Sequence, residues 1–322
     1  MSERLIVTGA AGFIGSHLTG ALLEAGHRVT GIDNFDAFYA RNLKAANLDG
    51  LRGAGFEFVE ADICEAGAMR EVFAARRPGV VFHIAALAGV RPSIQDPARY
   101  AAVNVEGLVN VLEAARDCDC RRLVFASSSS VYGNNARVPF SEADDVSRPI
   151  SPYAATKRAG ELLCHTYSDL YGLSIASLRF FTVYGPAQRP DLAIGRFMRL
   201  IAAGEEVPMF GDGSTSRDYT YIDDIIAGVV AAYERVCNAE AGFCRIYNLG
   251  GSHPVMLSAM IEAIGRVVGK RPRIKPLPMQ AGDVEQTYAD LTRSRAELGF
   301  DPQTPFEEGL RRQWGWLQKH LT

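Results

Sequence analysis

The feature that most constrains this chain is a glycine turn set between a β-branched run and an amphipathic helical pattern. Leu5-Ile6-Val7 leads into Thr8-Gly9-Ala10-Ala11-Gly12-Phe13-Ile14-Gly15, and the apolar period of a helix continues from Phe13 to Ala25. Glycine permits a tight turn and close backbone approach, and the unpaired N–H groups and dipole at a helix start attract a pyrophosphate. Strand, turn and helix in this order predict the first βαβ unit of a dinucleotide-binding sheet, with Gly9, Gly12, Phe13, Ile14 and Gly15 at the phosphates. The plainer reading, a turn that only packs helix on strand, loses ground because both neighbouring elements are in place.

Further short runs predict strands at Arg28 to Asp33, Phe56 to Asp62, Val80 to Ala85, Leu123 to Ser127 and Ile175 to Phe180, separated by helical segments such as Val103 to Arg116. That alternation predicts an α/β fold, a Rossmann-type doubly wound parallel sheet. After Arg179 the pattern becomes irregular, with Pro and Gly dense between Gly185 and Gly213. We therefore place a dinucleotide-binding domain at 1–178 and a smaller C-terminal mixed α/β substrate domain at 179–322, with the chain free to cross between them.

Asp33 closes the second predicted strand about 20 residues beyond the glycines, where a carboxylate can accept from the adenosine ribose hydroxyls. With Asn34 beside it, Asp33 favours NAD over NADP, since a 2′-phosphate would meet a like charge there. Asp62 and Ile63, at the third strand end, are placed to bracket the adenine. An ordinary strand end would look similar. Hydrophobic residues make up 48% and charged residues 22% of the 322, as in a soluble globular protein, and the net charge of −3 gives no basic footprint for nucleic acid. The six cysteines are scattered, and Cys118 and Cys120 lack zinc-site spacing, so no metal and reduced thiols are expected. Leu5-Ile6-Val7 is too short for a signal-peptide core and no stretch approaches membrane-spanning length, so a cytoplasmic protein without membrane contact is expected.

Tyr153 and Lys157 stand four residues apart behind Ser151-Pro152, a cap and a first-turn proline, and so share one helix face. A free tyrosine titrates near pH 10, so a base at neutral pH needs a neighbouring cation, which Lys157 is spaced to supply. Such a pair alone is more often solvated surface. Upstream, Ser127-Ser128-Ser129-Ser130-Val131-Tyr132-Gly133 ends the fifth strand and puts hydroxyls at the carboxyl edge of the sheet, where ligands of open α/β folds bind.

With the glycine turn, Ser128, Tyr153 and Lys157 in this order, the sequence resembles the extended short-chain dehydrogenases, the NAD-dependent nucleotide-sugar epimerases among them, nearly end to end. The resemblance implies NAD as cofactor, Ser128 orienting the sugar 4-hydroxyl, Tyr153 as base, and Lys157 on the nicotinamide ribose. It also implies Phe181 against the nicotinamide and Ala85, Ala86 and Asn104 at the cofactor. Relatives that dehydrate carry an acidic pair before Val-Tyr-Gly, and those that decarboxylate carry glutamate in the place of Ser130; this chain has neither, which leaves epimerisation. Arg179-Phe180-Phe181-Thr182-Val183-Tyr184-Gly185-Pro186, then Arg189-Pro190-Asp191, is most similar to the UDP-glucuronate 4-epimerases, as are Ala88-Gly89-Val90-Arg91 and Pro278 to Asp283. Pro92 and Leu87 depart from that pattern.

A glucuronosyl carboxylate would need charge-assisted donors, which Ser129, Ser130, Thr182 and Arg189 could supply, Arg189 most strongly. Arg217 matches a diphosphate contact, and Arg91 and Asp283 complete the expected UDP-sugar site. A homodimer is implied by the resemblance alone. UDP-glucose/UDP-galactose 4-epimerase and UDP-glucuronate decarboxylase stay open as alternatives, as does, in another class, a non-catalytic NAD-binding sensor. Retention of Ser128, Tyr153 and Lys157 together weighs against the last.

Overall fold

The computed structural model describes residues 2–51, 53, 55–278 and 284–320. The glycine turn follows β1 (Arg4–Thr8) and opens α1 (Phe13–Glu24); β2 (Arg28–Asp33), α2 (Arg41–Asp49), β3 (Phe56–Glu60), α3 (Ala66–Arg76) and β4 (Val80–His83) complete the first half of the winding. Two short helices, α4 (Val90–Gln95) and α5 (Pro97–Ala101), lead through a π-helical turn, Ala102–Glu106, into α6 (Gly107–Asp117). Then come β5 (Arg122–Ser128), a 3₁₀ turn at Ser129–Tyr132, α7 (Pro152–Tyr171) and β6 (Ser174–Phe180). Third and fourth strands end two residues earlier than the apolar runs predict, so Asp62 and Ala85 stand on loops beyond the sheet edge. The expected helix from Val103 is π-helical in its first turn.

Beyond β6 the chain forms β7 (Thr182–Tyr184), α8 (Ala193–Ala203), β8 (Glu206–Phe210), β9 (Ser216–Tyr221), α9 (Ile222–Cys237), β10 (Cys244–Leu249), β11 (Pro254–Met256), α10 (Leu257–Val268), β12 (Arg273–Leu277), α11 (Thr292–Leu298) and α12 (Phe306–His320). The main sheet has seven strands in the order β10-β6-β5-β4-β1-β2-β3, all paired in parallel. β10 is a strand the sequence pattern does not announce, and it carries the chain back from the C-terminal part into the large sheet. Small sheets β11-β9-β7 and β12-β8 make up the rest.

The sheet is sandwiched, as its strand residues dictate. Along β1 and β4, Leu5, Val7, Val80 and Phe82 face the core that α1 and α9 cover, while Ile6 and Val81 face the core under α3, α6 and α7. Both faces are apolar because both are buried, the signature of a parallel sheet. Strand order reverses between β1 and β4, so the loops at their carboxyl ends part there and open a crevice. Among the described residues no helix is long and apolar enough to cross a membrane.

Candidate active site

The crevice is a cavity of ≈ 620 Å³ that runs from the glycine turn to the loop after β7, Arg217 of β9 and the segment ahead of α11. Gly9 takes a left-handed φ of +72°, and a Cβ there would lie 2.8 Å from the Ala85 nitrogen; one on Gly15 would lie 2.0 Å from the Gly9 carbonyl oxygen. The turn thus needs glycine for its conformation and for close contact with the β4 loop and with itself. Gly12 occupies the helix cap and offers no side chain, so the first-turn amides of α1 have no side-chain acceptor and line the cavity with Phe13, Ile14 and Gly15. An unclaimed helix N-terminus on a glycine turn fits a pyrophosphate.

Asp33 closes β2 and is buried. Its Oδ2 accepts from the Ala11 amide at 3.2 Å, its Oδ1 accepts from the Phe35 amide at 2.8 Å, and the Lys44 ammonium stands 3.8 Å away. Burial pushes its carboxyl up, against the pull of Lys44 and the two amides. Asn34 donates to Asp62 Oδ2 at 2.8 Å, and Asp62 Oδ1 accepts from the Cys64 amide. Partial burial works against the Asp62 carboxylate, but those donors win and hold it below its usual range. Ile63, Ala85 and Ala86 join this wall, whereas Asn104 does not. It stands behind the wall, its Oδ1 accepting from the Leu87 amide and its Nδ2 donating to the Leu87 carbonyl and Thr156 Oγ1. Asn104 therefore ties the β4 loop to α7 rather than offering a polar atom to the cavity.

Opposite stands the serine turn. Ser128 ends β5, its hydroxyl sharing a hydrogen bond with that of Ser130 and accepting from the Ser130 amide. α7 starts as its cap predicts: Ser151 Oγ accepts from the Ala154 amide at 3.1 Å, with Pro152 in the first turn. Tyr153 reaches the cavity edge-on to Tyr100. Burial raises its phenol, and the Ser128 hydroxyl and Arg189 guanidinium draw it part of the way back. The Arg189 guanidinium is thus a second cation near Tyr153, one that the helical spacing does not announce. Lys157 donates to the Ala126 carbonyl at 2.7 Å over the Phe125 ring, and burial brings its ammonium down to about 7 despite Cys164 and Glu161.

Ser129, Ser130, Phe181, Thr182, Arg91, Arg189 and Arg217 all line the same cavity. Phe180 pairs with Ser128 across β6 and β5, which brings Thr182, two residues on, alongside the serine turn. Arg189 is a fork already engaged, with Nε 3.1 Å and Nη2 2.9 Å from the Asp191 carboxylate oxygens. Arg91 lies over the Phe210 ring, and Arg217 Nη1 donates to the Ser216 carbonyl. Asp283 lies outside the described residues.

Several neighbours escape the sequence reading. Phe38, Tyr39 and Lys44, on the segment after β2, roof the cavity. No periodicity marks them. Arg179 and Glu161 form a buried pair at 2.8 and 2.9 Å behind Ser128, with Ser127 Oγ donating to Glu161 at 2.7 Å. Here a signal did exist, because an arginine inside the apolar run Ser174–Phe180 demands a partner.

A family model described as the NAD dependent epimerase/dehydratase family matches residues 5–250. UDP-glucuronate 4-epimerase 5 of Arabidopsis thaliana is 41% identical over 99% of this chain and 76% of its own length. The UDP-glucuronate 4-epimerase of Thermodesulfobacterium geofontis is 40% identical over 98% of this chain and 96% of its own. A crystal structure of the UDP-glucuronic acid 4-epimerase from Bacillus cereus, in complex with UDP-glucuronic acid and NAD, matches with a TM-score of 0.92 at 35% identity, covering 98% of this chain and 99% of that one.

Proposed function

Because the chain belongs to the NAD dependent epimerase/dehydratase family, we propose that it interconverts UDP-glucuronate and UDP-galacturonate through a transient ketone at sugar carbon 4. The observation that carries this reading is the single cavity in which Ser128, Tyr153 and Lys157 stand with Ser129, Ser130, Thr182 and Arg189. The first three serve oxidation of an alcohol; the others are donors for a carboxylate, and no acidic side chain stands in the serine turn to protonate a leaving hydroxyl or a carbanion.

When bound, NAD supplies the acceptor and donor of the hydrogen on carbon 4. Amides of the Gly9 to Gly15 turn would hold its pyrophosphate, Asp33 and Asn34 the adenosine ribose, Asp62 and Ile63 the adenine, and Phe181, Ala85 and Ala86 the nicotinamide. Asn104 acts through the Leu87 loop that it fixes. Ser128 Oγ orients the 4-hydroxyl and Tyr153 Oη takes its proton. Lys157, one N–H on the Ala126 carbonyl, would offer its others to the nicotinamide ribose. Its charge and that of the oxidised nicotinamide must overcome the burial that keeps Tyr153 protonated.

Oxidation at carbon 4 makes a β-keto acid, which loses carbon dioxide when its carboxylate bond stands perpendicular to the ketone plane. Donors from Ser129, Ser130, Thr182 and Arg189 together oppose that rotation. Arg217 would meet the diphosphate common to UDP-sugars, with Arg91 at the substrate end. We further propose a cytoplasmic homodimer. The deciding experiment is NMR of purified enzyme given UDP-glucuronate without added cofactor. Galacturonate signals without NADH build-up are expected; UDP-pentose as the main product, or conversion of UDP-glucose alone, overturns the reading.

A further inference from the structure

Arg189 is the strongest donor available to a sugar carboxylate, yet its fork is turned to a carboxylate of the protein itself. Nε and Nη2 both bind Asp191, leaving Nη1 as the nitrogen outside that pair, and the Phe38 ring lies 4.8 Å from the guanidinium carbon. Both members line the cavity, and Asp191 is the more exposed, with 46% of its side chain accessible against 17% for Arg189. Although both prongs are engaged, the Asp191 carboxylate is half open to water, which solvates it when it lets go, so a second carboxylate entering the cavity can displace it. Asp191 therefore competes for Arg189 without locking it.

The reaction proposed above makes such competition useful. Inverting carbon 4 with the hydrogen acceptor on one side of the cavity requires both faces of the same sugar to meet it, so the ring must turn over between losing and regaining the hydrogen. A carboxylate held by both prongs of an arginine would resist turning, because a bidentate pair fixes geometry as well as adding energy. Tighter ground-state binding would not raise turnover either.

Resting on that reading, we propose that Asp191 is a positioning residue that limits Arg189 to a single exchangeable contact with the substrate carboxylate, and so lets the ketone turn over. Asn in its place keeps the shape and removes the competing charge. Binding is measured by calorimetry on the NAD-loaded protein in a Tyr153→Phe background, so that its outcome is independent of whether the wild type epimerises.

There Asp191→Asn should tighten UDP-glucuronate about tenfold, the scale of one charge-assisted hydrogen bond, and leave UDP-glucose unchanged. With Tyr153 present, the same substitution should lower kcat on UDP-glucuronate by a similar factor, lower KM, and raise the ketone fraction in quenched turnovers. Asp191→Glu should restore wild-type behaviour. Equal or weaker UDP-glucuronate binding in Asp191→Asn, or the same change on UDP-glucose, overturns the proposal. Absence of epimerisation by wild type with the binding difference intact counts against the proposed reaction instead.

Discussion

Single side chains carry most of what the sequence foretells here, and they also show where spacing is silent. Ser128, Tyr153 and Lys157 line one cavity, because helix period and strand ending are local properties. What the Tyr153 phenol senses is not local. Arg189 lies 36 residues on, and only the fold brings its charge to bear, just as it seats Lys44 against Asp33. The buried Lys157 offers a test of this environment. Its ammonium, brought down by burial to about 7 from the ordinary lysine value of 10.5, binds fewer protons folded than unfolded between those values, so it contributes stability that rises with pH in that window. In NAD-free protein, Lys157→Met should therefore be more stable than wild type at pH 7, and the gap should shrink by pH 9. Chemical denaturation at both pH values checks this; a constant gap would mean that Lys157 stays charged in its burial.

At the level of elements, α7 is the piece that aligns the chemistry, and its start was legible because Ser151 and Pro152 are local signals. The π-helical turn before α6 was not, since one extra residue per turn leaves no mark in composition. Tyr153, Lys157 and Glu161 recur at four-residue spacing and so share a face. Glu161 fastens that face to the strand ends through Arg179 and Ser127. Burial works against the Glu161 carboxylate, but Arg179 and Ser127 outweigh it and hold it below its usual range. Glu161→Gln would leave the Arg179 charge buried without compensation, which costs about 3–5 kcal/mol, enough to lower the melting temperature by several degrees. The exposed pair Arg41–Glu60 is the contrast, and Glu60→Gln should leave the melting temperature unchanged. Calorimetry of both variants decides; similar small losses would show that the buried pair is no tie.

For the whole molecule, the sheet was readable from alternating runs, while β10 was not, because it returns to the sheet after a stretch without regular alternation. That return matters for the cofactor. β10 pairs with β6, and the Phe181 amide donates to the Leu249 carbonyl, so the C-terminal part is stitched to the wall of the crevice that Phe181 lines. Farther along, buried Asp218 accepts from the amides of Gly251, Ser252 and Ala289, binding β9 to the loops that follow β10 and precede α11. A dinucleotide between β1 and β4 would touch segments from both halves and the roof residues Phe38, Tyr39 and Lys44. Since an epimerase returns the hydrogen it removes, nothing in the cycle requires the cofactor to leave, and ligand bound only to the folded chain stabilises it by RT ln(1 + [L]/Kd). Purified protein should therefore carry NAD without supplementation, and stripping it should lower the melting temperature by an amount that added NAD restores in a concentration-dependent way. Protein that purifies free of NAD, melts at the same temperature with it, or accumulates NADH steadily with UDP-glucuronate would instead behave as an ordinary dehydrogenase, with a cofactor that comes and goes each turnover.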